Sequence, residues 1–184
     1  AVQPDGAVLL GGQFTSVSGT PRTRVARLSV NGSLDLAFNP GTGADADVYA
    51  VAVQADGAVL VGGAFANFNG IPAGRVVRLA TDGSVDATFA TGSGANGPVR
   101  SIAVLVDGRI VIAGEFTSFN GVAVPRITRL NANGAVDVTF NPGAGADNTI
   151  YSVAASTNGS VVVGGAFTTF GGLTKNGITR INLD

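Results

Sequence analysis

An arginine and an aspartate stand inside a segment that is otherwise typical of an apolar strand–turn–strand unit, "RVVRLATDGSVDATF" at residues 75–89. A guanidinium can pair with a carboxylate through two parallel hydrogen bonds, or it can bind an anionic ligand. The same two residue types recur at the same spacing along the chain, as Arg27 and Asp35, Arg78 and Asp86, and Arg129 and Asp137, with a fourth arginine at Arg180.

The repetition of the pair favours a structural role. A packing device is copied into every unit of a repeat protein, whereas a catalytic site is rarely copied in this way. A packed guanidinium also needs acceptors for its five donors. We therefore predict structural ion pairs, and the alternative is a ring of arginines that binds an anion. Arg180 is predicted to be unpaired, because the matching aspartate would follow Asp184.

The turn between the two strands sets the register of the pair. A two-residue loop would place Leu79 opposite Asp86, which is a poor match. A three-residue loop over 81–83, a type I turn followed by a left-handed glycine, places Leu79 opposite Val85 and Arg78 opposite Asp86. We predict the second register.

These elements belong to a repeat that fills the chain. The Asp-Gly dipeptide at residues 5–6 returns every 51 residues, the last time as Asn158-Gly159, and a phenylalanine, a glycine and the arginine return in step with it. The predicted organisation is a single repeat domain over 1–184 with three complete units and a partial fourth: 1–51, 52–102, 103–153 and 154–184.

The second unit contains four short segments with β character and no helical periodicity, at 48–53, 58–65, 75–80 and 84–89. Four strands in about 50 residues, repeated along the chain, are typical of propeller blades. The predicted fold is all-β, a β-propeller-like array of four-stranded antiparallel blades.

The segment "DGAVLVGGAF" followed by "RVVRLATDGSVDATF" resembles the delta-60 repeat of large secreted bacterial proteins. The resemblance covers the whole chain. It implies a β-propeller-like array on an exported protein, and therefore a secreted or cell-surface location. It implies no established activity.

The composition argues against several functional classes. The net charge is −1, so the chain has no basic face for nucleic acid. It has no apolar run of the roughly 18 residues that a membrane span needs. Without His or Cys, and with Glu115 as the single glutamate, few groups could serve as base or nucleophile. We predict a protein that is not an enzyme. A glycoside hydrolase built on an aspartate pair is the remote alternative.

Two glycine-rich connectors, at 39–49 and 141–151, carry oxygen-bearing side chains. Calcium binds six to eight oxygens from such side chains and from carbonyl groups. A calcium site is therefore one hypothesis, and solvated connectors with turn-forming acids are the other. No other cofactor is predicted. The candidate ligands are Asp45, Asp47, Asp147 and Asn148.

The favoured function is a structural or adhesive module that acts as a scaffold and a protein-interaction surface. Ala1 aligns with the middle of a first strand, and unit 4 stops before its last strand. We therefore expect a piece of a longer chain or assembly whose open edges pair with further repeats or with another copy. The alternative is a propeller that binds glycans or calcium through the loops at 15–23, 66–74, 117–125 and 168–176.

Overall fold

The computed structural model describes residues 1–182, and the regular structure in that range is entirely β. In chain order the strands are β1 (Val8–Gly11), β2 (Ser16–Val17), β3 (Thr20–Pro21), β4 (Val25–Leu28), β5 (Val48–Val53), β6 (Val59–Gly63), β7 (Asn67–Phe68), β8 (Ile71–Pro72), β9 (Val76–Leu79), β10 (Val99–Val104), β11 (Ile110–Gly114), β12 (Ser118–Phe119), β13 (Val122–Ala123), β14 (Ile127–Leu130), β15 (Ile150–Ala155), β16 (Ser160–Gly165), β17 (Thr169–Phe170), β18 (Leu173–Thr174) and β19 (Ile178–Asn182). Within these residues there is no helix long or apolar enough to cross a membrane.

Four main antiparallel sheets follow one another along residues 1–182, and we number them as blades 1 to 4. In blade 1, strand β1 pairs with β4 alone, and an isolated bridge joins Val2 to Val8 of β1. Blades 2, 3 and 4 have the strand orders β5–β6–β9, β10–β11–β14 and β15–β16–β19. A two-stranded hairpin separates the second and third strands of every blade. The predicted all-β array of repeated blades is confirmed.

In blades 1 to 3 the predicted fourth strand is much shorter than expected. Over 84–89 it is reduced to one bridge, between Leu79 and Val85. The chain then turns, because the side chain of Asp86 accepts a hydrogen bond from the backbone N–H of Thr88 at 2.8 Å and its carbonyl accepts one from Phe89 at 3.2 Å. Such local bonds from aspartate compete with a β ladder.

The turn before that bridge has the predicted register. Gly83 has a φ of +88° and donates to the Ala80 carbonyl at 2.9 Å, while the Ala80 N–H bonds to Ser84 at 2.8 Å. The Asp86 N–H donates to the carbonyl of Arg78 at 2.9 Å. Asp86 therefore lies opposite Arg78, as the three-residue loop requires.

The apolar cores lie between the blades rather than inside them. The core between blades 2 and 3 contains Leu60 and Val76 from one side and Ile112 from the other. Two equivalent cores join blades 1 and 2 and blades 3 and 4. Burial of apolar surface, the main driving force of folding, therefore requires two neighbouring blades at once.

The first strands of consecutive blades, β5, β10 and β15, lie against one another and form the inner side of the array. In blades 2, 3 and 4 the last glycine of the middle strand sits under the start of the inner strand of its own blade. A Cβ on Gly63 would overlap the Asp47 carbonyl oxygen, one on Gly114 that of Pro98, and one on Gly165 that of Thr149. Only glycine allows this approach.

Candidate functional site

The structure brings the predicted Arg–Asp pairs together, one pair in each of the first three blades. In every case the arginine Nε lies 2.8 Å from an aspartate Oδ2, in the pairs Arg27–Asp35, Arg78–Asp86 and Arg129–Asp137.

The same guanidinium also ties its blade to the next one. Nη1 of Arg27 donates to the carbonyl of Thr81 at 2.8 Å, and Nη1 of Arg78 donates to that of Ala132 at 2.6 Å. Each acceptor lies in the turn of the following blade. The guanidinium of Arg27 also lies 4.8 Å from the ring centroid of Phe38, a cation–π contact. These contacts make the arginine a clamp between blades and leave little capacity for an anionic ligand.

The third pair is the most deeply buried. The side chain of Arg129 is 2% exposed and that of Asp137 is 7% exposed. Oδ1 of Asp137 accepts hydrogen bonds from the hydroxyl and the N–H of Thr139. Oδ2, which binds Arg129, also accepts one from Nη1 of Arg109 at 3.2 Å. The Thr139 bonds and the two guanidinium groups hold the pKa of Asp137 well below its usual range.

Arg180 lies on the exposed face of blade 4. It lines a cleft of about 360 Å³ together with Phe170, Lys175 and Ile181. Within residues 1–182 no side chain or carbonyl forms a hydrogen bond or ion pair with its guanidinium. It is the one repeat arginine that has neither an aspartate partner nor a following blade in this range.

The connector acids bind backbone donors of the next loop. Oδ1 of Asp45 accepts from the N–H groups of Ala66 and Asn67 at 2.9 and 3.1 Å. Asp147 accepts from Thr168 and Thr169 at 2.9 and 3.0 Å in the same way. These carboxylates therefore act as latches between a connector and the hairpin loop beside it.

The other two proposed calcium ligands are also engaged. Oδ2 of Asp47 accepts from Gln13 Nε2 at 2.6 Å, and Oδ1 of Asn148 accepts from the N–H of Thr149 at 2.7 Å. Across the described part of the chain, no three His, Cys, Asp or Glu side chains form a group that could hold a metal ion. The four candidate ligands instead form hydrogen bonds with protein groups.

Asp147 gives a prediction for the acid limb of stability. Hydrogen bonds from the Thr169 N–H and the Thr168 hydroxyl lower its pKa to about 2, from an ordinary 3.8. Its stabilisation is therefore complete above the unfolded-state pKa and is lost as the pH falls towards about 2. Blade 3 has Asn96 at this position, bonded to Thr117 through both its oxygen and its nitrogen. An asparagine at position 147 should therefore form the same bonds to Thr168 as Asp147 does, with a side chain that does not change its protonation in this pH range.

We expect Asp147→Asn to match the wild type at neutral pH and to lose less stability between about pH 4 and pH 2. Urea unfolding midpoints at both ends of that range measure the difference. Parallel acid limbs in the two proteins would show that the Asp147 latch does not contribute.

A repeated arginine that the sequence analysis missed precedes the third strand in blades 1, 2 and 3, whereas blade 4 has Gly177 there. Arg24, Arg75 and Arg126 have φ values of +64°, +67° and +67°, in the left-handed region. Their Nη1 atoms donate to connector carbonyls at 2.8, 2.5 and 2.7 Å. The side-chain bond to the connector holds a backbone conformation that non-glycine residues adopt only at a cost.

A second unpredicted feature lies on the inner strands. The pairing of each inner strand with its middle strand shifts by one residue, between Val48 and Ala50 in blade 2 and at the same place in blades 3 and 4. The extra residue of such a β-bulge leaves the ladder, and bulges commonly re-aim a side chain. The three bulged residues are Tyr49, Arg100 and Tyr151.

Arg100 is the centre of this group. Its guanidinium carbon lies 4.1 Å from the ring centroid of Tyr49 on the neighbouring blade. Its Nε donates to Glu115 Oε1 at 2.7 Å, and Nη2 bonds to the same oxygen. Partial burial opposes the charge of Arg100, but the hydrogen bond and charge of Glu115 and the two tyrosines raise the pKa of Arg100. We call Tyr49, Arg100, Tyr151 and Glu115 the bulge row.

A signal for the bulge row was present in the sequence. Its three strand residues are 51 positions apart, and they include both tyrosines of the protein. Glu115, the only glutamate, follows the middle strand of blade 3. Concentration of rare residue types at one repeat position was therefore visible, but the bulge that aims them was not.

Four segments of the chain match the family model described as "Domain of unknown function (DUF5122) beta-propeller": residues 3–38, 54–89, 107–140 and 157–184. The chain belongs to this β-propeller family. The matched segments of the DUF5122 family contain the three Arg–Asp pairs, whereas Tyr49, Arg100 and Tyr151 lie between them. No curated protein matches the chain.

Solved structures support the fold. The crystal structure of the WD40 β-propeller domain of Doa1 superposes with a TM-score of 0.59 at 19% sequence identity. The match covers 96% of this chain and 46% of that chain, so this DUF5122 chain spans less than half the length of its structural neighbour. At this identity the likeness concerns the fold alone.

Proposed function

We propose that the chain is a non-enzymatic scaffold of a secreted or cell-surface bacterial protein of the delta-60 repeat type, which binds protein partners and adheres through its blade faces. Its membership in a β-propeller repeat family supports a protein-interaction role in general. The observation that carries the proposal is the open face of blade 4, because this face has the composition of a surface that is covered in every other blade.

The positions that face the next blade are buried in blades 2 and 3 and open in blade 4. Leu60 and Val111 are fully buried, but the equivalent Val162 is 39% exposed. Val76, Ile127 and Ile178 occupy a second such position, with exposed fractions of 1%, 0% and 65%. The open face of blade 4 therefore repeats the chemistry of an interface between blades.

We infer that a second copy of the chain covers this face with its blade 1. At the position of the buried Phe65 and Phe116, blade 1 has Phe14, which is only half-buried. One chain thus carries both halves of the interface, and such head-to-tail contacts close into a ring or extend as a filament.

The clamp arginine specifies the contact expected across this interface. Arg27 and Arg78 each donate to the carbonyl of the residue 54 positions later, in the turn of the next blade. The corresponding turn residue of blade 1 is Val30, which is 74% exposed. Arg180 of one copy would therefore donate to the Val30 carbonyl of the other.

This proposal predicts a dimer or a larger oligomer that Ile178→Asp dissociates, since the carboxylate would have to be buried without a partner. Light scattering coupled to size-exclusion chromatography, over a range of concentrations, measures the mass. Ile71→Asp is the matched control, because Ile71 is 63% exposed but lies in the hairpin of blade 2, away from the open face. A monomeric wild type, or equal dissociation by both substitutions, would contradict the second copy.

The absence of catalytic activity is part of the proposal and rests on the engagement of the acids. The frame aspartates are bound by arginine, and Asp45 and Asp147 are bound by backbone N–H groups. Such carboxylates are held ionised at neutral pH, whereas a glycosidase needs one carboxyl group that remains protonated. Hydrolysis of chromogenic glycosides that disappears on mutation of Asp86 would overturn it.

A further inference from the structure

The bulge row differs from the rest of the repeat in what it presents to solvent. In blades 1 to 3 the frame positions hold apolar side chains or arginines that are bound to aspartates. At the bulges, the side chain of Arg100 is 31% exposed, and Tyr49 and Tyr151 are 37% and 58% exposed as whole residues. A bulge that served only to curve the strand would not require the two tyrosines of the protein.

The bulge row contains unused donors and acceptors. In residues 1–182, nothing bonds to Nη1 of Arg100, to Oε2 of Glu115 or to the hydroxyl group of either tyrosine. The ring of Tyr151 has no cation stacked on it within this range, in contrast to that of Tyr49. Strands β10 and β15 pack side by side, and Tyr151 is among the groups that act electrostatically on Arg100. The exposed ring of Tyr151 therefore lies on the strand next to the free donor and acceptor, and sites with a few convergent polar groups bind small ligands.

The charge of the group selects the class of ligand. The ion pair between Arg100 and Glu115 cancels both charges, so the site attracts neither phosphate nor ammonium groups strongly. Adjacent donors and acceptors instead match hydroxyl groups, each of which can donate and accept. An aromatic ring beside them suits a ligand with an apolar face.

We propose that the bulge row is a binding site for an uncharged saccharide. The sugar stacks on the ring of Tyr151, and its hydroxyl groups bond to Nη1 of Arg100 and Oε2 of Glu115. Blades 2, 3 and 4 of a single chain contribute all of these residues, so the site does not depend on the second copy. It is also distinct from the hairpin loops at 15–23, 66–74, 117–125 and 168–176.

The test begins with an array of neutral, sialylated and sulfated oligosaccharides, and calorimetry then measures the affinity of the hits. We expect the wild type to bind neutral glycans and Tyr151→Ala to weaken that binding about tenfold or more, the effect of losing one good contact. Val138→Ala is the control, because Val138 is 90% exposed and lies in the turn after the Leu130–Val136 bridge, outside the inner strands that carry the bulge row.

Glu115→Gln provides a second readout that a purely structural role would not produce. It removes the charge that neutralises Arg100 but keeps an acceptor. The variant protein should therefore bind sialylated or sulfated sugars in preference to neutral ones. Thermal unfolding of each variant establishes that it is folded.

Three results would overturn the proposal. They are a wild type that binds no neutral glycan, an affinity that Tyr151→Ala leaves unchanged, and binding at this site to members of a peptide library but to no sugar. The Ile178→Asp protein, which is expected to be monomeric, retains the complete bulge row. Sugar binding by that variant would therefore show that the sugar site does not need the proposed assembly.

Discussion

Replacement of Asp137 with alanine is expected to lower the free energy of unfolding by about 3–5 kcal/mol, the usual result of removing one member of a buried ion pair. The side chain of Arg129 is 2% exposed and cannot turn to water without disrupting the core. The substitution also removes the oxygen that accepts from the N–H and hydroxyl of Thr139. Urea denaturation measures the effect, and the dependence of the unfolding free energy on urea concentration should stay unchanged.

The first blade supplies the matched comparison. Arg27 and Asp35 make the same 2.8 Å bond, but their side chains are 15% and 22% exposed. Asp35→Ala should therefore lower the free energy of unfolding clearly less than Asp137→Ala does, because water can reach the guanidinium that remains. Asp137→Asn should fall between the wild type and Asp137→Ala, since the amide oxygen can still accept from Thr139. Equal losses for Asp35→Ala and Asp137→Ala would show that burial does not control the strength of the clamp.

Adjacent glycines at the end of β16 should respond in opposite ways to alanine. A Cβ on Gly165 would overlap the carbonyl oxygen of Thr149, whereas the nearest atom to a Cβ on Gly164 lies 3.9 Å away. We expect Gly165→Ala to destabilise the protein by about 1–3 kcal/mol, as overpacking does. Gly164→Ala should be neutral or stabilising by up to about 1 kcal/mol, because alanine restricts the unfolded chain.

The two variants share a strand and a residue type, so their difference isolates the approach of the inner strand. Blade 3 already has Ala113 at the position of Gly164, fully buried. Gly165 pairs with Ile150 at the bulge that carries Tyr151, so Gly165→Ala should also weaken saccharide binding. A stable Gly165→Ala protein would mean that the inner strand can move away at little cost.

The sequence was sufficient for features that are set by local rules and copied in each unit. The three-residue turn at Gly83 follows from the left-handed conformation that glycine accepts, and the opposition of Arg78 and Asp86 follows from the turn. The fourth strand was predicted wrongly because "SVDATF" alternates like a strand. Nothing in that alternation indicates that Asp86 will bond to Thr88 and end the ladder.

The bulge row could not be located in the same way. Each bulge lies where the inner strand passes close over the last glycine of the middle strand, and the residues of the inner strand alone do not indicate it. The contact of Arg100 with Tyr49 also joins residues 51 positions apart, on different blades. Such a contact can be predicted only when the angle between blades is known.

The sharing of each core by two blades also bears on how such a protein can change in length. Each 51-residue unit brings one face for the unit before it and one for the unit after it. Gain or loss of a whole unit by recombination between repeats therefore rejoins two matching faces and creates no new packing problem. Gain or loss of any other length would set residues such as Leu60 and Ile112 against the wrong partners. The architecture thus permits variation in whole blades and resists every smaller step.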